Sequence, residues 1–561
     1  MSLNTQPQSE KITCQLAVIG GGTGGFAAVW AALRKGLKVT VTEEYDRLGG
    51  QLTSQAVPPD EHPWIESCGG TASYRQFRQY VRRYYRNWYP LTEEAAARWE
   101  RLNPGEGCVS ALCHEPAVSS AVIEALLRPY ISSGQLQVLL NTVPVQVSRQ
   151  GDSIKSVAVK RYSRPAYGPR PLGDKDFRLY TIEAPFFIDA TETGDLLPLA
   201  GLEYSIGAES KAQTGEPHAP EKADPLNQQA VSWCFVIDYQ PDRQSVIPKP
   251  AQYGFWRGYI PDLKPAWGSP LLSWQATHPI TLEPVVRSFN PLHPKPERGP
   301  MDLWTFRRIS CAANFKYPSG TSDIVLVNWP QIDYMLGQVI EVSEEEKARH
   351  LEGARQLSLS MLYWMQTEAP REDGQKGWPG LGLRPDITQT PDGLAAAPYI
   401  REARRIKGHT VVLEQYVSLE ARMAETGLSE KEVRAFQFAD SAGIGAYRLD
   451  LHPSASGCNY IDVSALPFQI PLGALIPRDA DNLLAGGKNL SVTHITNGCY
   501  RLHPVEWNVG EAAALCAAYC LSNNYAPAKL WKERELLQSF QNELREFGIE
   551  LSWEGRAIYP L

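Results

Sequence analysis

The sequence predicts an α/β protein whose N-terminal part carries a Rossmann-like parallel sheet, and three observations lead there. Leu16-Ala17-Val18-Ile19 is a short apolar run of strand character, Gly20-Gly21-Gly22-Thr23-Gly24-Gly25 follows at once, and a helical pattern runs from Phe26 to Lys35. A second strand, Lys38 to Thr42, then ends in Glu43, 18 residues past Gly25. Strand, glycine turn, helix, strand and acid is the order of a nucleotide-binding βαβ unit.

Each of these elements has a physical reason. Gly20, Gly22 and Gly25 stand in G-x-G-x-x-G register: the first permits a tight turn, the second lets the backbone approach a pyrophosphate, and the third lets helix and strand pack closely. The helix N-terminus offers free N–H donors and a positive dipole end to phosphates. Glu43 stands where a carboxylate receives a ribose diol. The charge-free stretch from Leu16 to Leu33 just reaches membrane-span length, but the glycines packed into its first half argue for a turn.

Composition narrows the alternatives. At 561 residues the chain exceeds one ordinary core, and length alone suggests roughly two to four domains. Hydrophobic residues at 43% and charged residues at 21% describe a folded globular protein. Lys and Arg total 55 against 62 Asp and Glu, and the net charge of −7 removes a global electrostatic case for nucleic acid or anionic membranes. The 15 Trp, 25 Tyr and 43 Pro point to irregular, aromatic-lined surfaces of the kind pockets use. Ten cysteines are scattered without a C-x-x-C, and the pairs Cys108/Cys113 and Cys516/Cys520 lack redox or zinc spacing. Reduced thiols, no metal site and a cytoplasmic location are the expectation, as the polar start MSLNTQPQSEK has no apolar signal core.

After Glu43-Glu44-Tyr45-Asp46-Arg47-Leu48 comes Gly49-Gly50-Gln51, and here the sequence resembles the FAD-dependent oxidoreductases of the glutathione-reductase-like flavoprotein superfamily. In that superfamily the acid on the second strand is followed by a short loop ending in Gly-Gly that lies along the extended FAD. Two distant segments extend the resemblance. Phe186 to Asp195 looks like the second flavoprotein motif, with the family's compact A-T-G spread to Ala190, Thr191 and Gly194. Asn482 to Lys488 resembles the last strand of the FAD domain without the Asp of the commonest G-D form. An Ala-rich helix from about Glu506 to Leu521, with Gly510 near its start, corresponds to the one that begins close to the isoalloxazine.

The resemblance implies FAD as cofactor and a discontinuous Rossmann-like FAD-binding domain of the glutathione-reductase type, residues 1–225 and 456–561, around an inserted β-rich substrate or cap domain, residues 226–455. It implies FAD contacts from Gly20, Gly22, Thr23, Gly24 and Gly25, from Glu43 and Glu44, and from Gly49, Gly50 and Gln51. Further contacts are expected from Ala190, Thr191 and Gly194, from Gly486 and Gly487, and from Asn497 and Gly510.

Catalytic candidates follow the last strand. Arg501 is a guanidinium in an otherwise apolar segment and needs an anionic partner: a substrate carboxylate, the flavin pyrophosphate, or a structural Asp or Glu. His494 and His503 are either functional or ordinary capping and core histidines. His62 or His494 would serve as the base, while a covalent flavin link through His62 or a Cys is disfavoured. Cys499 reads as a packed thiol.

The insertion concentrates Trp233, Trp256, Trp267, Trp274, Trp304, Trp329, Trp364 and Trp378, candidates for cavity walls although most should be core. Residues 331 to 367 read as helix with Ser343 to Lys347 as its solvated start. Arg401, Arg404 and Arg405 read first as surface salt bridges with Glu402 and its neighbours and second as an acidic-substrate or partner contact. Asp440 to Gly445 and His452 to Ser454 read as returning loops.

No second G-x-G-x-x-G and no dithiol are found, so a disulfide reductase is disfavoured. The expected activity is oxidation of a small amine, amino acid, alcohol or sugar by hydride transfer to flavin N5, with oxygen or another acceptor reoxidising the flavin. A monooxygenase or saturase using an external reductant is the alternative. A second alternative is an FAD-containing RNA modifier, because Arg75, Arg78, Arg82 and Arg86 form a stripe beside Tyr74, Phe77, Val81 and Trp88. That reading is disfavoured by the acidic chain and by the ordinary amphipathic helix this pattern also describes. An amphipathic helix from Leu530 to Phe547 would pack on the FAD domain or on another subunit of a homo-oligomer.

Overall fold

The computed structural model describes residues 9–561; residues 1–8, which hold most of the polar start read as lacking a signal, lie outside the described residues. Its centre is a five-stranded parallel sheet in the spatial order Leu483–Ala485, Phe186–Asp189, Leu16–Ile19, Val39–Thr42, Leu136–Leu139. The first four strands in this order are wholly buried, which is why they read as continuous apolar runs rather than alternating ones. Ile19 pairs with Thr42 on one side and Asp189 on the other, and Asp189 pairs with Ala485. The residues that come next, Gly20, Glu43, Ala190 and Gly486, therefore leave the sheet side by side at its carboxyl edge, where open α/β sheets bind ligands.

The first helix, Thr23–Arg34, is buried nearly all round, and so is the helix His503–Asn523 as far as Cys520. Such helices need partners on every side, and these two are partners of each other. A Cβ on Gly510 would lie 1.9 Å from the Gly24 carbonyl oxygen, and one on Gly24 would lie 2.0 Å from that of Gly486. Their backbones touch because neither position carries a side chain.

Beside the parallel sheet stands a second sheet, ordered Glu10–Thr13, Phe177–Glu183, Ser153–Tyr162, Thr142–Gln150. The insertion has its own antiparallel sheet, ordered Arg308–Ser310, Ile324–Val327, Phe235–Tyr239, Leu381–Leu383, and its own hydrophobic core. All eight tryptophans of the insertion are buried in that core. The segment from Ile406 to Leu451 instead packs its apolar side chains, such as Val412, Val433 and Leu449, into the core of the parallel sheet. Among the described residues no helix is long and apolar enough to cross a membrane.

Several elements differ from expectation. The long helix starts at Glu344 rather than 331, because Ser343 and Glu346 form a reciprocal capping box there. Ser441–Gly445, expected as loop, is a buried strand paired with Phe468–Pro471; at Gly443 and Gly445 the side chains of Asn508 and Phe468 press directly on its backbone. The C-terminal helix is two pieces, Pro527–Lys532 and Arg534–Phe547, parted by extended backbone at Glu533. The helix expected from Glu506 begins at His503, with Pro504 in its first turn.

Gly510→Ala should destabilise the protein by roughly 1–3 kcal/mol or more in a denaturant titration, through overpacking against Gly24. Gly254→Ala, where an added Cβ meets nothing within 4 Å, should stay within about 0.5 kcal/mol of wild type.

Candidate active site

The carboxyl edge of the sheet forms a crevice with a polar floor. Gly20 adopts φ +100°, a left-handed conformation that favours glycine, and a Cβ there would strike the Ala190 carbonyl oxygen at 2.1 Å. The first helix begins at Gly22 with no side chain capping it. A Cβ on Gly22 would make an ordinary contact with Glu192 Oε1 at 3.5 Å, and Gly50 packs on the same helix end, where a Cβ on Gly50 would lie 2.8 Å from Gly22 Cα. Glu43 is buried and accepts from the N–H groups of Gly21 (2.8 Å) and Tyr45 (3.0 Å). Burial pushes its pKa up to about 8. Gly49 N–H donates to Gly21 O at 2.7 Å and Thr23 Oγ1 donates to Gly49 O at 3.0 Å, which draws the Gly49-Gly50-Gln51 segment against the glycine loop.

From there a chain of buried polar groups leads away. Lys488, buried, pairs with Glu192. Glu506, in the first turn of the His503–Asn523 helix, accepts from Gln51 Nε2 at 2.5 Å. Burial pushes the Glu506 pKa up to about 7 against the pull of Lys488. Gln51 also donates to the Arg501 carbonyl at 2.9 Å.

The remaining expected contacts are distributed as follows. Ala190 follows the sheet edge; Thr191 donates through N–H (3.1 Å) and Oγ1 (2.7 Å) to Asp189, and Gly194 lies against the Arg404 backbone. Gly486 N–H donates to Asp189 O at 2.8 Å and Gly487 N–H to Asn489 Oδ1 at 3.2 Å. Asn497 donates to Arg401 O at 2.9 Å and leaves Oδ1 without a partner. Glu44 is half-buried in a cleft of about 530 Å³ shared with Arg170, Asp195 and Lys347. An uncapped helix end, bare glycine backbone at Gly22 and Gly50 and a buried acid beside them fit the diphosphate and ribose of FAD. Among the described residues no group of three or more His, Cys, Asp or Glu is arranged to hold a metal ion.

Of the catalytic candidates, Arg501 is buried, and its anionic partner is Asp450. NH2 donates to Asp450 O (3.0 Å) and Oδ2 (3.3 Å), and NH1 donates to Tyr399 Oη at 3.2 Å. His503 is fully buried, and its Nδ1 accepts the Asp60 N–H at 3.1 Å. That bond places the ring proton on Nε2, which has no partner, and burial pushes the His503 pKa down to about 4. His494 holds Glu209 Oε2 through its backbone N–H at 2.9 Å, with ring Nδ1 3.0 Å from Glu402 Oε1. His62 packs elsewhere: Nε2 pairs with Gly69 O at 3.0 Å and the ring lies between Trp64 and Trp553.

A buried ionic centre around Arg501 went unread in the sequence. His452 Nδ1 lies 2.6 Å from Asp333 Oδ2, and its Nε2 lies 3.8 Å from Asp450 Oδ2. Asp333 also pairs with Arg401 NH2 at 3.2 Å and accepts from Ser232 Oγ at 2.6 Å. Against the penalty of burial, Arg401 and His452 hold the Asp333 carboxyl below its ordinary pKa. Burial, then Arg401, depresses His452. Both favour the neutral ring, and in that form Nδ1 donates to Asp333 and Nε2 is left as an acceptor. Nearby, Arg307 NH1 grips Asp60 at 3.0 and 3.2 Å. These residues come from separate segments, and the only advance signal was the arginine cluster at 401–405. Arg401 and Arg405 are not on the surface: they are 2% and 0% exposed, with Arg405 paired to Glu209 and Glu402.

The arginine stripe of Ala72–Trp88 is likewise engaged. Arg78 and Arg82 are buried and pair with Glu61 and Glu66, so these two guanidinium groups are not free for nucleic-acid phosphates.

A family model described as FAD dependent oxidoreductase matches residues 15–544. No curated protein matches the chain. Among solved structures, a geranylgeranyl bacteriochlorophyll reductase-like protein from Thermoplasma acidophilum aligns at 9% identity over 96% of this chain and 84% of that one, with a TM-score of 0.30. The OxyS anhydrotetracycline hydroxylase from Streptomyces rimosus aligns at 11% identity over 96% and 67%, also with a TM-score of 0.30. An L-proline dehydrogenase from P. horikoshii aligns at 17% identity over 41% of this chain, with a TM-score of 0.17, and the match spans only 26% of that dehydrogenase.

Burial holds both His114 and His503 near pKa 4 against an ordinary 6.5. The unfolded chain binds these protons first as pH falls, so the stability tied to the two neutral rings is complete above 6.5 and lost as pH drops toward 4. Melting temperature should decline over that window, and less steeply in His503→Asn. An identical slope in the variant contradicts a neutral, buried His503.

Proposed function

Because the chain belongs to the FAD-dependent oxidoreductase family, we propose that it oxidises a small organic substrate by hydride removal, with His452 as the base that takes the accompanying proton. The observation that carries this reading is the His452–Asp333 pair, which Asp450 links to Arg501, whose carbonyl in turn binds Gln51.

The residues that would hold FAD are the glycine loop Gly20 to Gly25 with the first helix for the diphosphate, and Glu43 for the ribose. Gly49, Gly50, Gln51, Gly486 and Gly487 lie beside them along the crevice. The FAD unit is read as the glutathione-reductase type, supported by the parallel sheet drawn from both ends of the chain. Its companion is read as a substrate unit, residues 226–455, built on the second core, with the segment from Ile406 to Leu451 within it packed on the sheet's core.

The chemistry FAD supplies when bound is acceptance of a hydride from a substrate C–H bond, with oxygen or another acceptor taking up the electrons afterwards. The chain's own part is proton management. Asp333, held ionised by Arg401, receives Nδ1–H and fixes the tautomer that leaves His452 Nε2 basic. A substrate hydroxyl or amine hydrogen-bonded to Nε2 gives up its proton there, and Asp333 stabilises the imidazolium that results. Gln51 and Glu506 tie the Gly-Gly segment to the start of the His503–Asn523 helix and so keep the crevice and the ionic centre in register.

Two of the similar structures are a hydroxylase and a reductase-like protein by name; the corresponding second reading is a monooxygenase or saturase fed by an external reductant. One experiment separates the two. Anaerobic mixing with amines, amino acids, polyols and sugars should bleach the flavin with at least one class and without added reductant. His452→Asn should slow that bleaching by roughly 10²–10⁴-fold while FAD content stays unchanged. Bleaching that occurs only with an added nicotinamide reductant supports the second reading instead.

A further inference from the structure

One arginine of the buried ionic centre has no carboxylate partner. Three of its arginines have carboxylate partners: Arg307 with Asp60 at 3.0 Å, Arg401 with Asp333 at 3.2 Å, and Arg501 with Asp450 at 3.3 Å. The fourth, Arg287, has none. It is 9% exposed, and its Nε and NH1 are buried without any acceptor. The charged and ionisable groups that act on it are Tyr460, Arg307, Asp333 and Cys108. Of these, Asp333 is already engaged by Arg401, His452 and Ser232. Arg287 is therefore the one guanidinium of the four without a carboxylate partner.

The unpartnered atoms around that charge have a common character. Tyr460 Oη is buried and has no partner, and neither has Trp267 Nε1, whose ring centroid lies 6.3 Å from that of Tyr460. Arg307 Nε is also without an acceptor. Each of these groups can donate a hydrogen bond, and both oxygens of Asp60 and of Asp333 already have partners. A buried guanidinium without an acceptor is costly to retain. The missing group is an acceptor for Arg287, and an anionic one would offset the cost best. A carboxylate meets both requirements, since its two oxygens match the planar fork of a guanidinium. Tyr460 also joins this donor cluster to the proposed base, for its ring packs edge-on to His452 with centroids 5.5 Å apart. Phe306 supplies an apolar wall, with the guanidinium carbons of Arg287 and Arg307 at 5.9 and 5.0 Å from its ring centroid.

We propose that Arg287 anchors a carboxylate of the substrate, with the Tyr460 hydroxyl as second donor, so that the enzyme acts on small carboxylic acids bearing an oxidisable amine or alcohol. The proposal rests on the oxidation reading for what the anchored molecule undergoes, but the anchor itself is testable without turnover.

The oxidised holoenzyme is titrated with benzoate, with benzamide as its uncharged counterpart and with inorganic phosphate as a different anion, following the visible flavin spectrum and the melting temperature. Benzoate should give a saturable spectral change and a stabilisation that the other two do not. Arg287→Gln should raise the benzoate concentration for half-saturation by roughly tenfold or more, Arg287→Lys by less, and Tyr460→Phe by a few-fold, each variant retaining its FAD. Equal responses to benzoate and benzamide, binding of phosphate in place of benzoate, or an unaltered benzoate response in Arg287→Gln overturns the proposal. If Arg287→Gln fails to retain FAD, the Tyr460→Phe and Arg287→Lys titrations decide it, and unchanged half-saturation in both overturns it. Benzoate binding of the predicted pattern in an enzyme that no substrate class bleaches anaerobically rejects the oxidation reading and leaves the anchor standing.

Discussion

At Gly24 the backbone of the first helix touches two segments from the other end of the chain, the Gly486 carbonyl after the last strand and Gly510 of the C-terminal helix. This contact between bare backbones is the constraint on which the rest depends. It allows Leu483–Ala485 to join a sheet begun at Leu16, and it sets the start of the His503–Asn523 helix beside the glycine loop. A methyl group at either glycine would prise the two ends apart, and the crevice at the sheet's carboxyl edge would lose one wall.

Once the ends are held together, charge organises the remainder. Gln51 reaches from the Gly-Gly segment to both Glu506 and the Arg501 carbonyl, and Arg501 reaches into the insertion through Tyr399 and on to Asp450. From there Asp450 stands 3.8 Å from His452 Nε2, and His452, Asp333 and Arg401 follow as successive partners. A buried carboxylate or guanidinium tolerates this surrounding only when it is paired, so each member specifies where the next must stand. Arg287, the member left without a partner, is what separates a finished structural network from one that awaits a ligand.

Legibility in the sequence followed the range of the interactions. Leu16–Ile19, the glycine turn, Val39–Thr42 and Glu43 were readable because apolar runs, turn glycines and their spacing are local properties. Phe186–Asp189 and Leu483–Ala485 were readable through short strands ending in small residues. Asp60, Arg287, Arg307, Asp333, His452 and Tyr460 carry no such mark: apart from Asp333, in the two-residue strand Asp333–Tyr334, each lies outside helix and strand, and their meaning arises only when folding brings them together. Arg401 and Arg405 were read as surface residues for a related reason, since a cluster of charges describes a solvated face unless its buried partners, Asp333 and Glu209, are known. Ser441–Gly445 was read as loop because two glycines suggest one, whereas here they admit Asn508 and Phe468 against a buried strand.

On the proposed reading FAD would be held between the uncapped first helix and Gln51, with the ionic centre near its reactive ring. The most direct measurement is a crystal structure of the protein with FAD bound. The account predicts the diphosphate on the N–H groups of the first helix, the ribose on Glu43, and the isoalloxazine beside Gln51, facing His452 and Arg287. An isoalloxazine on the far side of the sheet edge, with Arg287 and His452 walled off from it by protein, contradicts the account.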